Sequence, residues 1–147
     1  MSDIAAESAE VRTLLASASE QAESLGHDYI DTAHLLLAIL ADPDSRAVRL
    51  LRDVGVQPDS LRERCIAHAH PEKHHRAHVD AMELTPRAKA SLMHADANAH
   101  SHSIPTPRTE DVLLGLMSDR ESIAAQVMLE AGISYERLEH AVYGTAA

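Results

Sequence analysis

The chain repeats one pattern of apolar and turn residues at a spacing of 77 positions. Residues 31–42 are DTAHLLLAILAD, and residues 108–119 are RTEDVLLGLMSD. Without any gap, residues 8–66 align with residues 85–143, and the matches include turn residues as well as leucines. Because core and turn positions agree in one register, the sequence predicts two copies of one structural unit.

Each copy predicts four helices. In the first copy, apolar residues recur at helical spacing up to Gly26, which ends the first helix. The second helix is almost wholly apolar; it starts behind Thr32, which we expect to be its N-cap, and stops at Pro43. The third closes at Gly55, and a short fourth helix follows Pro58. The second copy repeats this scheme, with the corresponding Thr as the expected cap.

These helices predict an all-α domain. The chain has three Tyr, no Phe and no Trp, so its core must consist of aliphatic side chains, which suit closely packed helices. A unit of about 60 residues is marginal alone, and two units can bury a shared face. We therefore expect one domain, 1–147, of eight helices with pseudo-twofold symmetry. Its parts are repeat one at about 8–67, a linker at 68–83 and repeat two at about 84–143.

The charge of the chain excludes several classes of partner. The formal net charge of −10 disfavours nonspecific binding to nucleic acid or to anionic lipid. No apolar run approaches the length that spans a bilayer, and the acidic N-terminus does not resemble a signal peptide. A single cysteine, Cys65, excludes an internal disulfide and is expected to be a small core residue. A cytoplasmic location fits these features.

The predicted linker is rich in histidine. His70, His74 and His78 follow one another at intervals of four, and imidazole binds zinc, nickel or copper. However, no cysteine or second motif completes a closed tetrahedral site. A solvated linker is the favoured interpretation, and a metal-binding or metal-responsive protein is the alternative.

Two segments of the second copy resemble a known family. They are LTPRAKASLMHADANA and TEDVLLGLMSD, and they resemble the second repeat of the Clp N-terminal domain of ClpC- and ClpA-type AAA+ unfoldases. The first copy resembles the family through LGHDYIDTAHLLLAIL, and the resemblance covers residues 7–143. The chain has no Gly-x-x-x-x-Gly-Lys-Ser/Thr loop of the AAA+ rings. A free-standing N-domain and an N-terminal fragment of a full unfoldase both remain open.

The resemblance implies a non-enzymatic, cofactor-free module that binds peptides and proteins. Family N-domains receive substrates and adaptors, and some bind phosphoarginine at a Thr-Glu pair that opens the second helix of a repeat. In the second copy this pair is Thr109 and Glu110, followed by Asp111 where the family has His. Free backbone N–H groups and the helix dipole suit a phosphate there, and a carboxylate suits a guanidinium.

The first copy matches this motif less well. Thr32 and His34 match, but Ala33 stands where the family has its Glu. We therefore expect at most one phosphoarginine site, and we expect it to be centred on Glu110.

A third ligand class also follows from the resemblance. Some ClpC-type members bind cyclic-peptide antibiotics through aromatic residues, at positions that correspond here to Ile4 and Leu84, and Lys89 is retained. The function expected from the sequence is thus to receive or sequester substrates, adaptors, phosphoarginine-marked proteins or such peptides, in association with a Clp ATPase or protease.

Overall fold

The computed structural model describes residues 8–70 and 82–144, which contain eight α-helices and two very short strands. The predicted all-α class is confirmed. In chain order the elements are α1 (Ala9–Ser24), β1 (Tyr29–Ile30), α2 (Thr32–Leu40), α3 (Arg46–Asp53), α4 (Pro58–Ala69), β2 (Glu83–Leu84), α5 (Pro86–Ser101), α6 (Thr109–Leu116), α7 (Ile123–Glu130) and α8 (Tyr135–Tyr143).

The helix starts follow the alignment of the two copies. Helices α5 to α8 each begin 77 positions after the corresponding helix of α1 to α4. Glycines with positive φ follow α3 and α7 at equivalent places, Gly55 at 91° and Gly132 at 89°. A left-handed residue at this position closes a helix and is favourable for glycine.

The two strands were not predicted. They pair in parallel, with Tyr29 opposite Glu83 and Ile30 opposite Leu84. The backbone N–H of Thr85 then donates to the carbonyl of Ile30 at 2.9 Å. A two-residue strand is too short to produce an alternating pattern in the sequence. Its structural effect is to attach the start of α5 beside the start of α2.

Helix α2 lies at the centre of the molecule, as its apolar sequence predicted. Every residue of α2 is buried, and the helix contacts α1, α3, α4, α5, α6 and α7. The buried apolar side chains of both copies form a single cluster that includes residues of all eight helices. The two halves of the described chain therefore share one core rather than forming two separate ones.

Five helices are capped by a serine or threonine, but the predicted caps of α2 and α6 are wrong. Their N-cap residues are Asp31 and Arg108, and Thr32 and Thr109 are the first helical residues. In both helices the side chain of the third helical residue accepts a hydrogen bond from the backbone N–H of the N-cap residue. His34 Nδ1 accepts from the N–H of Asp31, and an oxygen of Asp111 accepts from the N–H of Arg108, both at 2.8 Å. The side chains of Thr32 and Thr109 therefore do not cap these helices.

Other features agree with the sequence or lie beyond the described residues. Cys65 is fully buried, its thiol donates to the carbonyl of Ala33, and burial raises the pKa of the thiol to about 12. Its prediction as a core residue is confirmed.

In the described part of the chain, no helix combines the length and apolarity needed to cross a membrane. Most of the predicted linker, residues 71–81, lies outside the described residues.

Candidate functional site

A cavity of about 530 Å³ opens beside the amino end of α6. One face of α1 forms its first wall, and the end of α2, the following loop and the start of α3 form the second. Its volume lies in the range of sites that bind small molecules or side chains. The lining residues are Ala9, Glu10, Thr13, Leu14, Ser17, Ala38, Ile39, Ala41, Asp42, Ser45, Arg46, Thr109 and Glu110.

Glu110 is a buried carboxylate at the edge of this cavity. The residue is 3% exposed, and its Oε2 lies 2.7 Å from Nε of Arg46 and 3.6 Å from a terminal nitrogen of Arg108. Although both guanidinium groups are within ion-pair distance, Oε2 accepts no hydrogen bond from any described residue. The ion pair with Arg46 offsets the charge of this oxygen, but its geometry is not that of a hydrogen bond, so the oxygen keeps the capacity to accept one.

Thr109 presents two donors at the same helix end. Both its backbone N–H and its hydroxyl donate to Oε2 of Glu10, at 2.8 and 3.2 Å. Glu10 lies in the first turn of α1, and α1 is fixed nearby because the hydroxyl of Ser8 donates to the carbonyl of Pro107 at 2.8 Å. The carboxylate of Glu10 therefore occupies the position at which the α6 N-terminus would hold an anion.

Asp111 is fully buried and positions the helix end rather than facing the cavity. Its oxygens accept from Nε and a terminal nitrogen of Arg108, at 3.0 and 3.2 Å, and from the hydroxyl of Tyr143 at 2.6 Å. The bonds from Arg108 to Asp111 raise the pKa of the guanidinium. Burial, followed by the Asp111 bond, raises the pKa of Tyr143 above its usual value. This network links the start of α6 to the end of α8.

The corresponding end of α2 in the first copy is closed. Thr32 is fully buried, and its hydroxyl oxygen accepts from the N–H of Ala124 at 3.4 Å. His34 is also buried; its Nδ1 accepts from Asp31, and its Nε2 lies 2.8 Å from Nδ1 of His27. Burial, with a smaller contribution from His27, lowers the pKa of His34 to about 4. Both side chains are therefore engaged inside the protein.

Two charged residues of the cavity, Glu10 and Arg46, have no like-charged counterparts in the other copy. The position equivalent to Glu10 is Arg87, which pairs with Asp119 at 2.6 Å, and the position equivalent to Arg46 is Ile123. Sequence analysis did not single out Glu10 and Arg46 as site residues. The signal that could have found them is this difference in charge at aligned positions of an otherwise similar repeat.

The remaining predicted site residues do not meet at this cavity. Leu84 lies in β2, half-buried against the core, and Lys89 is exposed on α5. Ile4, His74 and His78 lie outside the described residues. His70 ends α4 in a left-handed conformation, and its carbonyl accepts from His27 Nε2 at 3.3 Å. Within residues 8–70 and 82–144, no group of His, Cys, Asp and Glu could hold a metal ion. The antibiotic surface and the metal site stay predictions.

The fold and the cavity define a small helical domain of duplicated sequence with a cavity of ligand size beside the amino end of α6. The chain belongs to the Clp repeat (R) N-terminal domain family, whose model matches residues 7–131 and 83–146. The predicted family is confirmed.

Relatives and solved structures agree with this membership. Over 117 residues the chain is 33% identical to the ATP-dependent Clp protease ATP-binding subunit ClpC of Staphylococcus aureus, a match that covers 78% of this chain and 14% of ClpC. It is 30% identical over 131 residues to the chaperone protein ClpB of Oceanobacillus iheyensis, covering 88% of this chain and 16% of ClpB. The chain thus spans about one-seventh of the length of these curated relatives.

Two solved N-terminal domains share the fold. The Hsp104 N-terminal domain of Candida albicans aligns with a TM-score of 0.74 at 16% identity, covering 91% of this chain and 87% of that chain. The N-terminal domain of the chaperone ClpD of Arabidopsis thaliana aligns with a TM-score of 0.70 at 20% identity, covering 91% and 90%.

Proposed function

We propose that this domain is a non-catalytic receptor of a cytoplasmic Clp system, and that it recognises proteins marked by phosphoarginine at the amino end of α6. The observation that carries the proposal is the buried, hydrogen-bond-deficient carboxylate of Glu110 beside a cavity that also contains the donors of Thr109. This arrangement offers an acceptor for a guanidinium and donors for a phosphate within two consecutive residues.

The chemistry of each half of the ligand matches one side of the site. A guanidinium forms charge-assisted hydrogen bonds with a carboxylate, and such bonds are stronger where the carboxylate is buried, as that of Glu110 is. A phosphate accepts from the backbone N–H and hydroxyl of Thr109 and is favoured by the positive end of the α6 dipole. Phosphoarginine combines both groups in one side chain.

The site of the second copy supports this proposal better than that of the first. Thr109 is partly exposed and lines the cavity, whereas Thr32 is fully buried and no carboxylate follows it. A guest can therefore reach α6 without a rearrangement of the core. The expectation of a single site centred on Glu110 is consistent with this difference.

Calorimetric titration with phosphoarginine tests the proposal. The wild-type domain is expected to bind one equivalent, and Glu110→Ala is expected to weaken binding by at least tenfold, because the acceptor of the guanidinium is lost. Glu136→Ala is the matched control, since Glu136 is likewise the second residue of its helix but is exposed and does not line the cavity. Its affinity should equal that of the wild type.

Circular dichroism of each variant shows whether it is folded, so that a loss of binding can be assigned to the site and not to unfolding. If wild-type protein gives no binding heat, or if folded Glu110→Ala binds as tightly as wild type, phosphoarginine recognition at α6 is refuted. Titrations with free arginine and with inorganic phosphate should both be weaker than that with phosphoarginine, because each supplies only one of the two charged groups.

The wider role that we propose is to deliver or sequester guests of a Clp ATPase. Adaptor proteins are a second class of partner, and cyclic peptides at the surface of Leu84 and Lys89 are a third. A net charge of −10 disfavours nucleic acids as partners.

A further inference from the structure

We propose that the α6 site is self-occupied in the free protein: the carboxylate of Glu10 takes the place of the guest's phosphate, and the guanidinium of Arg46 takes the place of the guest's guanidinium. A phosphoarginine guest must therefore displace both side chains. This inference rests on the proposed function and adds an internal competitor to it.

Glu10 satisfies the donors that a phosphate would use. One carboxylate oxygen, Oε2, accepts from both the N–H and the hydroxyl of Thr109. The donors and the acceptor are 99 positions apart in sequence, so only the packing of α1 beside α6 brings them together. An anion at the first turn of a helix is the arrangement that a helix N-terminus stabilises, whether the anion is a carboxylate or a phosphate.

Arg46 occupies the guanidinium position without completing the interaction. Its Nε is 2.7 Å from Oε2 of Glu110, but this oxygen accepts no hydrogen bond from the described residues. The Arg46 side chain is 60% exposed, whereas that of Glu110 is 4% exposed. The arginine therefore reaches into the site from solvent, and a guest guanidinium that forms the missing hydrogen bond can replace it.

Both competing side chains can leave without unfolding the domain. Glu10 and Arg46 are exposed residues in the first turns of α1 and α3, on opposite walls of the cavity. Their helices are held by other contacts: Ser8 fixes the start of α1 to Pro107, and the buried Val48 fixes α3 to the core. Displacement requires rotation of two side chains, which is a small motion.

Self-occupancy makes the site selective for a guest with both charges. Free phosphate can replace Glu10 but leaves Arg46 on Glu110, and free arginine can replace Arg46 but leaves Glu10 on Thr109. Phosphoarginine replaces both competitors in one step. The apparent affinity of every guest is reduced by the fraction of protein in the self-occupied state.

Titration of phosphoarginine into four variants tests this inference. Glu10→Ala and Arg46→Ala each remove one competitor, and each is expected to tighten phosphoarginine binding about threefold, the size expected for an exposed charged contact. The matched controls are Glu20→Ala on α1 and Arg49→Ala on α3, which remove the same charges at exposed positions that do not line the cavity. The controls should bind as wild type does.

The outcomes separate this inference from the proposed function. If wild type binds phosphoarginine but Glu10→Ala and Arg46→Ala bind equally or more weakly, the two side chains are neutral or contact the guest, and self-occupancy is overturned while the receptor function stands. If no variant binds phosphoarginine, both proposals fail.

Amide hydrogen exchange without ligand tests whether the contact between Thr109 and Glu10 forms in solution. In the wild-type protein the amide of Thr109 should exchange slowly with solvent, because its N–H is bonded to Glu10. Glu10→Ala should accelerate this exchange at least tenfold, and Glu20→Ala should not. Equal exchange in wild type and Glu10→Ala would show that the Glu10 contact is not formed in solution and would overturn the inference.

Discussion

Burial favours the neutral imidazole of His34, and the hydrogen bonds around it fix which ring nitrogen carries the proton. Its Nδ1 accepts from the N–H of Asp31, so its Nε2 carries the proton and donates to Nδ1 of His27. His27 Nε2 in turn donates to the carbonyl of His70 at 3.3 Å. A second proton on His34 would place an N–H against the N–H of Asp31 and a positive charge in the core, where burial already lowers the pKa of His34 to about 4.

We therefore predict that the domain loses stability in acid through His34. Its pKa is about 4 in the folded protein and about 6.5 when unfolded, so the unfolded state binds more protons between these values. The stabilisation is fully present above pH 6.5 and is lost as the pH falls towards 4, by about 3 kcal/mol. Denaturant unfolding at pH 7.0, 5.5 and 4.5 measures this change.

His34→Gln should reduce this dependence on pH. The amide oxygen of Gln can accept from the N–H of Asp31, as in a capping box, but the side chain does not titrate. His140→Gln, which removes an exposed imidazole from α8, is the matched control. An unfolding free energy that falls equally in wild type and His34→Gln between pH 7.0 and 4.5 would contradict the prediction.

At the residue scale, the sequence named two of the four side chains that meet at the α6 cavity, and their role in binding stays a prediction. The family motif pointed to Thr109 and Glu110, and both line the cavity. Glu10 and Arg46 were missed because their contacts with α6 join residues that are far apart in the chain, and a local pattern contains no such information. The N-cap of α2 was assigned one residue too late because Asp31 and Thr32 are both residue types that cap helices. The N-cap of α6 was assigned one residue too late because Thr109 is such a type and the observed cap, Arg108, is not.

At the element scale, helices were predictable where an apolar repeat is bounded by a start or end signal. Gly55 and Gly132 close two helices with positive φ, and Pro58 opens another. The strands β1 and β2 were not predictable, since their two-residue pairing depends on the approach of the two copies. The position of Gly115 inside α6 also has no local explanation and is instead explained by packing.

We predict that Gly115→Ala destabilises the domain despite the higher helix propensity of alanine. A Cβ at residue 115 would overlap the carbonyl oxygen of Ser91 and would lie 3.2 Å from the backbone nitrogen of Ala95. Because these are backbone atoms of α5, the helices must separate to relieve the clash. Overpacking of this kind costs about 1–3 kcal/mol, more than the gain of about 1 kcal/mol from propensity.

Thermal and denaturant unfolding measure the effect of this substitution. The aligned position in α2 is Ala38, which shows that the first copy accommodates a Cβ there. Ala38→Gly is therefore the reciprocal control, and it should destabilise through lost propensity and lost burial. A Gly115→Ala variant that is more stable than wild type would mean that α5 and α6 are not in such close contact.

At the scale of the whole molecule, the two copies depend on each other for burial. Helix α2 packs against α5, α6 and α7, and α4 packs against α7, so part of the apolar surface of the first copy is covered by the second. The buried side chains form one cluster across both copies. A half-domain of about 60 residues would expose these faces to water, and the remaining burial would not offset the entropy of folding.

We therefore predict that neither half folds cooperatively alone. Separate chains of residues 1–81 and 82–147 should show weak helical signal and broad melting, while the intact protein should unfold in a single sharp transition. Mixing the two halves at equal concentration should restore helical signal, because α2 regains its covering helices; mixing the second half with a first half carrying Leu36→Asp should not. Leu36 is fully buried in α2, and an unpaired carboxylate there would prevent the shared core from forming. A first half that melts sharply on its own would instead mean that α1 to α4 contain a sufficient core, and that the duplication joined two domains already stable by themselves.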